Sequence, residues 1–233
     1  MAPEEITIIV SAFNEQDAIA MTLADLAAHV PAGCEVLVID GGNDRTGEIV
    51  RSLEPSFPGL RHVPHLNDRG KGHAVRTGIA MAKGRFHVQF DADGQFLAKD
   101  IPAMLAPLLD GSADVTLGSR FMPESGKDLE AAFLRDAGNH ILSLWASLLF
   151  SHRMTDVLAG LKAWTAEAGE IMALQSDRFE YEVEIPARSL RRGLRVMDVP
   201  VHTRSRTEGE SKVPIIRTGL RILTATAKFR WQP

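Results

Sequence analysis

The strongest constraint in this chain is an alternation. Short apolar runs rich in β-branched residues recur: "ITIIV" (6–10), "EVLVID" (35–40), "RHVPH" (61–65), "FHVQFD" (86–91) and "ADVTLGS" (113–119). Between them lie stretches whose apolar residues follow helical spacing. "EQDAIAMTLADLAAHV" (15–30) ends before Pro31, and "RTGEIVRSL" (45–53) stops near Pro55. "KGHAVRTGIAMAKG" (71–84) ends on Gly84, a natural residue to close a helix. "DIPAMLAPLL" (100–109) opens with Asp100 as an N-cap and carries Pro102 at its second helical position. This order predicts an α/β fold, a mainly parallel sheet with helices on both faces. With 233 residues, 45% of them hydrophobic, the chain can bury one sizeable core. Residues 1–212 contain no repeat, linker or low-complexity run. They read as a single domain, and 213–233 as a C-terminal helix.

Charge is distributed unevenly. The formal net charge is −4, which gives no global reason to expect a nucleic-acid partner. From His202 to Pro233, however, seven basic residues stand against two acidic ones, a net +5 that leaves −9 on residues 1–201. A basic tail on an acidic body suits either an anionic surface or a solvated helix face. "VPIIRTGLRILTATAKFRWQP" (213–233) has no acid, with Ile216, Leu220, Leu223 and Ala227 marking one helical face. Phe229 and Trp231 are placed to meet a headgroup boundary, so a peripheral membrane helix and a packed helix are both readings of it. The longest apolar run, "ILSLWASLLF" (141–150), is too short to span a bilayer. Cys34 is the only cysteine, which fits a reducing compartment, and the acidic N-terminus has no signal-peptide pattern. The expected location is therefore cytoplasmic, with the membrane's cytoplasmic face as a docking surface.

In sheets of this kind ligands bind beyond the C-terminal ends of the strands. Polar clusters fall at four such ends: "SAFNE", "DGGND", "NDRGKG" and "DADGQ". The first lacks the glycines of a dinucleotide fingerprint, and "NDRGKGH" lacks the full P-loop pattern. There is no His-Glu-x-x-His and no cysteine cluster, which argues against a zinc site. Asp91 and Asp93 stand out. In an extended segment residues i and i+2 face one side, so two carboxylates there can share a hard cation with a diphosphate. The bland alternative is that both acids cap the following turn.

Taken in order, these motifs resemble the family 2 glycosyltransferases of the GT-A fold, and among them the dolichyl- and polyprenyl-phosphate mannose and glucose synthases. "IIVSAFNE", "VIDGGNDRTGEIV", "NDRGKGHAVRTGIAMAKG", "FDADGQF", "GSRF", "TDVLAGLKAW" and "RTEGESK" (206–212) carry the resemblance over about 1–212. It implies that Ala12, Phe13, Glu15 and Asp40 frame the base and ribose of a nucleotide sugar, with Lys71 beside that pocket. It implies Mg²⁺ or Mn²⁺ on Asp91 and Asp93 with Gln95 close by, and Arg206, Ser211 and Lys212 closing over phosphate. The chain departs from the family at Gly41, where a second aspartate is usual, at Asn43, at Gly94 after the Asp-x-Asp, and at Gly160-Leu161 in place of Gly-Phe.

The resemblance implies an inverting, metal-dependent transfer of a hexose from GDP-mannose or a UDP-sugar. A sugar hydroxyl acceptor needs a carboxylate base, whereas a phosphate monoester is already largely ionised at pH 7. Arg120, Arg135, Arg206 and Lys212 are the cations for a polyprenyl-phosphate acceptor. Glu180, Glu182, Glu184 and Asp156 are the candidate acids for a hydroxyl acceptor, or else a solvated helix face and a loop cap. "LEAAFLRDAGNHILSLWASLLF" (129–150), with Leu142, Trp145, Leu148 and Leu149 at helical spacing, is either an acceptor-side amphipathic helix or core. Two other classes compete. A haloacid-dehalogenase-like phosphatase also uses Asp-x-Asp-Gly, but on its first strand and with Thr or Val where Gln95 stands. A non-catalytic nucleotide- or lipid-binding module is compatible with Gly41 but does not need both the Asp-x-Asp and "RTEGESK".

Overall fold

The computed structural model describes residues 2–126, 133–204 and 215–231. Seven strands form one sheet: β1 (Ile6–Ala12), β2 (Glu35–Asp40), β3 (Leu60–Pro64), β4 (Phe86–Asp91), β5 (Val115–Ser119), β6 (Lys162–Thr165) and β7 (Val196–Pro200). Their order is β3-β2-β1-β4-β6-β5-β7. All pairings are parallel except those of β6, which runs antiparallel between β4 and β5. The helices are α1 (Ile19–His29), α2 (Thr46–Leu53), α3 (Lys71–Met81), α4 (Ile101–Leu109), α5 (Phe133–Phe150), α6 (Ala166–Met172), α7 (Tyr181–Arg191) and α8 (Ile215–Trp231).

The near-continuous apolar strands follow from burial on both faces. Successive side chains alternate, so Ile8 and Val10 of β1 join Val36 and Val38 of β2 in one core, with α1 and α4. Ile9, Leu37 and Ile39 point the other way, into a core shared with α3, α5, α7 and α8. Helix α3 lies close on β1 because Gly78 has no side chain; a Cβ there would come within 2.3 Å of Ile9 Cγ2. β4 breaks the apolar rule. His87 and Gln89 are buried on its second face, where Gln89 Nε2 donates to Tyr181 Oη at 2.7 Å.

Several local expectations change. α3 ends at Met81 with an extended Ala82, so Gly84 is not its closing residue. Gly84 is needed instead where the chain crosses the start of β1, with a Cβ 2.6 Å from Thr7 N. Asp100 does not cap α4 through its side chain; its carboxylate accepts from the backbone N (2.6 Å) and Nδ1 (2.9 Å) of His202. The α5 stripe is split. Leu142 and Ala146 are buried, while Ile141, Leu144 and Leu148 are exposed, at 61%, 61% and 68%. On α8 the inward face is Ile222, Thr226 and Phe229, so Phe229 is core and only Trp231, 71% exposed, is free to meet a headgroup layer.

Candidate active site

β1 is the switch point of the sheet: β2 follows it on one side and β4 lies on the other. Crevices at such points open beyond the strand C-termini, and the register sets Ser11 beside Asp91 and Ala12 beside Asp40 there. The loops after β1 and β2 are interlocked. Asn43 N donates to Asn14 Oδ1 at 2.8 Å, Glu15 N to Thr46 Oγ1 at 2.9 Å and Gln16 N to Asp44 Oδ2 at 3.1 Å. Asp44 also starts α2, accepting from Thr46 N at 2.9 Å. Asp40 is held by Gly42 N and His62 Nε2, both at 3.0 Å. Phe13, 52% exposed, stands out from this rim, whereas Ala12 is buried beneath it.

Asp91 is the last residue of β4, and Asp93 lies in the turn that follows. Gly94 turns the chain at φ +71°, and Gln95 N donates to Asp93 Oδ1 at 3.1 Å. Lys71, the first residue of α3, brings Nζ to 2.6 Å from Asp91 Oδ1 and 3.1 Å from Glu182 Oε1. The approach to Asp91 is close but not aligned as a hydrogen bond, leaving Oδ1 without one. Glu182, on α7, also pairs with the buried Lys162 and accepts from Tyr181 Oη at 2.6 Å. Asp91, Lys71, Glu182 and Lys162 therefore form a continuous chain of alternating charge.

The electrostatics follow from burial and order. Burial pushes the Asp91 carboxyl up; Lys71 opposes this, Asp93 and Glu182 add to it, and the result is about 6. Burial also pushes Glu182 up, but Lys162 and Lys71 outweigh it and hold the carboxyl below its ordinary value. Lys71 is held above its ordinary value, because Asp91 and Glu182 outweigh burial. The carboxylate oxygens of Asp91 and Asp93 are hard donors of the kind Mg²⁺ and Mn²⁺ take, and Lys71 Nζ already puts positive charge against Asp91. The donor set thus fits a divalent ion. Gly160 makes this possible: a Cβ there would lie 2.0 Å from Asp91 Oδ2.

The candidate acids are each engaged by a basic side chain. Asp156, fully buried, takes Arg120 in a bidentate pair with Nε at 2.6 Å and Nη2 at 2.9 Å. That pair also uses up Arg120, whose guanidinium lies over Phe96 and Phe121. Glu184 accepts from Gln175 N (2.9 Å) and Ser176 N (2.8 Å) and pairs with Arg188 at 2.6 Å. Glu180 pairs with Arg221 of α8 at 2.5 Å. Glu182 and Glu184 are buried, so they do not form a solvated helix face.

Arg206, Ser211 and Lys212 lie outside the described residues, as does the side chain of Arg135. The chain reaches that segment from the acidic turn itself. Arg204 donates from its backbone N to Gln95 O at 2.9 Å and from Nε to Gly94 O at 2.6 Å. Sequence reasoning missed Lys162 and Tyr181. A lysine in an apolar strand, "LKAW", was the available sign of a buried charge needing a partner.

A mainly parallel sheet, an antiparallel strand beside β4 and paired acids at the β4 end, together with the family and fold matches, define a GT-A glycosyltransferase. The family description "Glycosyl transferase family 2" matches residues 7–156, and the chain belongs to that family. The phosphatase alternative falls with this assignment. A protein of Methanocaldococcus jannaschii without an assigned function is 32% identical over 94% of this chain and 90% of its own. The undecaprenyl-phosphate mannosyltransferase of Micrococcus luteus is 29% identical over 88% of this chain and 86% of its own. In fold, the chain is similar to glucosyl-3-phosphoglycerate synthase of Mycobacterium tuberculosis, solved with Mn²⁺, UDP and phosphoglyceric acid. The TM-score is 0.75 at 17% identity, over 98% of this chain and 79% of that one.

Proposed function

We propose that this glycosyltransferase moves a hexose from a nucleoside-diphosphate sugar to a polyprenyl phosphate, with inversion at the anomeric carbon. The observation that carries the acceptor is the state of the acids. Glu180, Glu182, Glu184 and Asp156, which a hydroxyl acceptor would draw on, are each paired with a lysine or arginine. An acceptor that arrives already ionised needs none of them. The name of the Micrococcus luteus relative, an undecaprenyl-phosphate mannosyltransferase, supports the same reading.

On this reading Ala12, Phe13, Glu15 and Asp40 hold the base and ribose, and Lys71 lies between them and the diphosphate. Asp91 and Asp93, with Gln95 alongside, hold Mg²⁺ or Mn²⁺, which neutralises the departing nucleotide's diphosphate. Arg206, Ser211 and Lys212 bind phosphate oxygens from the segment that follows Arg204. Arg204, the last described residue before that segment, bonds Gln95 O and Gly94 O in the acidic turn, which supports this reading. Arg135 is the acceptor-side cation, since Arg120 is taken by Asp156.

The polyprenyl acceptor also gives a use to the exposed apolar residues of two neighbouring helices. Ile141, Leu144 and Leu148 on α5, and Leu220 and Trp231 on α8, stay in water, with exposed Lys228 and Arg230 nearby. No helix among the described residues is long and apolar enough to cross a membrane. We read residues 213–233 as a surface helix that holds the 1–212 domain at a lipid interface, on the cytoplasmic side. The experiment is a transfer assay with polyprenyl phosphate and GDP-mannose, UDP-glucose or UDP-N-acetylglucosamine, with Mn²⁺. Wild type should make a prenyl-linked sugar from one donor, and Asp93→Asn should make none while keeping its circular dichroism. Transfer to a soluble hydroxyl compound with none to polyprenyl phosphate would overturn the acceptor.

A further inference from the structure

The loop between β3 and α3 and the first turn of α3, "HLNDRGKGH", gather three potential ligands that the sequence pattern does not advertise. His65, Asp68 and His73 each offer one ligand atom, and the three atoms lie within 4.8 Å of one another. His65 is nine-tenths buried, and its Nδ1 has no hydrogen-bond partner. Asp68 Oδ1 lies 3.3 Å from that nitrogen, but off the hydrogen-bonding direction. The Nδ1 of His73 is also buried without a partner, and the two imidazoles are 4.4 Å apart between centroids. Two orphaned ring nitrogens beside a carboxylate are costly to bury unless something binds them.

The surroundings suit a metal. His65 Nε2 lies 3.2 Å from Thr77 Oγ1, a contact that fixes the ring and leaves Nδ1 to bind, as outer partners of metal-bound histidines do. Asp68 is braced by Gly70 N, which donates to Oδ1 at 3.0 Å. Gly41 leaves room for that carboxylate: a Cβ there would lie 2.7 Å from Asp68 Cγ. The position where the family usually carries a second aspartate is thus occupied in space by Asp68. The nearby charges of Arg69 and Arg76 are both paired with Asp177.

We propose that His65, Asp68 and His73 form a second metal site, distinct from the Asp91–Asp93 turn, for a borderline transition ion such as Zn²⁺. Two imidazoles and one carboxylate favour such an ion over Mg²⁺, which prefers all-oxygen shells. Zinc binds nitrogen and oxygen at about 2.0–2.2 Å, so small side-chain rotations close the three atoms on it. Asp68 and His73 are only partly buried, which leaves a fourth position for water. The spacing, His-x₂-Asp-x₄-His, matches no helical or cysteine-based zinc pattern.

The test uses chelator-treated full-length protein carrying Asp91→Asn and Asp93→Asn, so that the acidic turn does not answer. Calorimetric titration with ZnCl₂ should give one equivalent per chain that excess Mg²⁺ does not displace. Co²⁺ should give visible ligand-field bands that Zn²⁺ bleaches. Adding His73→Gln, at a half-buried position, or Asp68→Asn should each weaken Zn²⁺ at least about tenfold with circular dichroism unchanged. No binding by the starting protein, or binding that survives both substitutions, overturns the site. No sugar transfer is measured, so this outcome is independent of the proposed reaction.

Discussion

At the residue scale the decisive group is Asp91. Its carboxyl titrates at about 6 rather than at its ordinary 3.8, chiefly because it is buried. A raised carboxyl value means the folded protein holds the proton more tightly than the unfolded chain. That contribution to stability is fully present below about pH 3.8 and is lost as pH rises through about 6. On the proposed function, a divalent ion held by Asp91 displaces the same proton. Mn²⁺ affinity of the metal-free protein should therefore rise about tenfold per pH unit up to about 6 and level off above it. Titration calorimetry from pH 4.5 to 8 checks this, and a flat profile would remove Asp91 from the proposed metal site. The sequence exposed the Asp91–Asp93 pair through its i, i+2 spacing. It did not expose Glu182 as the partner of Lys71, because 111 residues separate them and only the fold brings them together.

Among the elements, β6 was the least legible. Four residues, Lys162–Thr165, are too few for a periodic signal, and the strand runs against its neighbours. Its position nevertheless shapes the site, since the turn before it sets Gly160 against Asp91. Gly160→Ala places a methyl 2.0 Å from Asp91 Oδ2, so either the carboxylate or the turn must move. We expect kcat/KM to fall at least about tenfold, roughly 1.4 kcal/mol of transition-state binding, while thermal unfolding stays cooperative. Unchanged kinetics would show that the turn yields without disturbing the acids. Helices α5 and α8 were legible in extent but not in orientation. Both carry more apolar residues than one face needs, and only packing chooses which turn inward. Ile222 and Phe229 are buried, each worth about 1.5–3 kcal/mol, so α8 is docked on the domain whatever its outer face does.

For the whole molecule, the question is how a chain with no described membrane-crossing helix would reach a lipid-borne acceptor. α5 and α8 lie side by side, tied by Trp145 Nε1 donating to Leu223 O at 3.3 Å and Arg230 Nε donating to Leu149 O at 2.9 Å. Their outward residues leave apolar side chains in water beside basic ones. Each basic residue near an anionic surface contributes about 1 kcal/mol, and this part is screened by salt. Vesicles of mixed anionic and neutral phospholipid should carry the protein in flotation at low salt, and less of it at high salt. Leu144→Glu with Leu148→Glu should abolish flotation while leaving metal binding intact. Equal flotation of that variant and wild type would move the docking surface elsewhere.

The α/β class, the strand-end location of the candidate site and the Asp91–Asp93 pair were all readable along the chain. Each is a local or periodic property: alternation of apolar runs, polar residues where a run stops, and two acids facing one way. Family membership was legible too, since the ordered motifs survive as short contiguous strings. The partners came from packing. It set Lys71 against Asp91 and Glu182, Arg120 against Asp156, and His65 beside His73. It also turned Glu184 and Phe229 inward. Pairing of buried charges depends on which surfaces the sheet order and helix packing bring together. No periodicity along the chain encodes that distance.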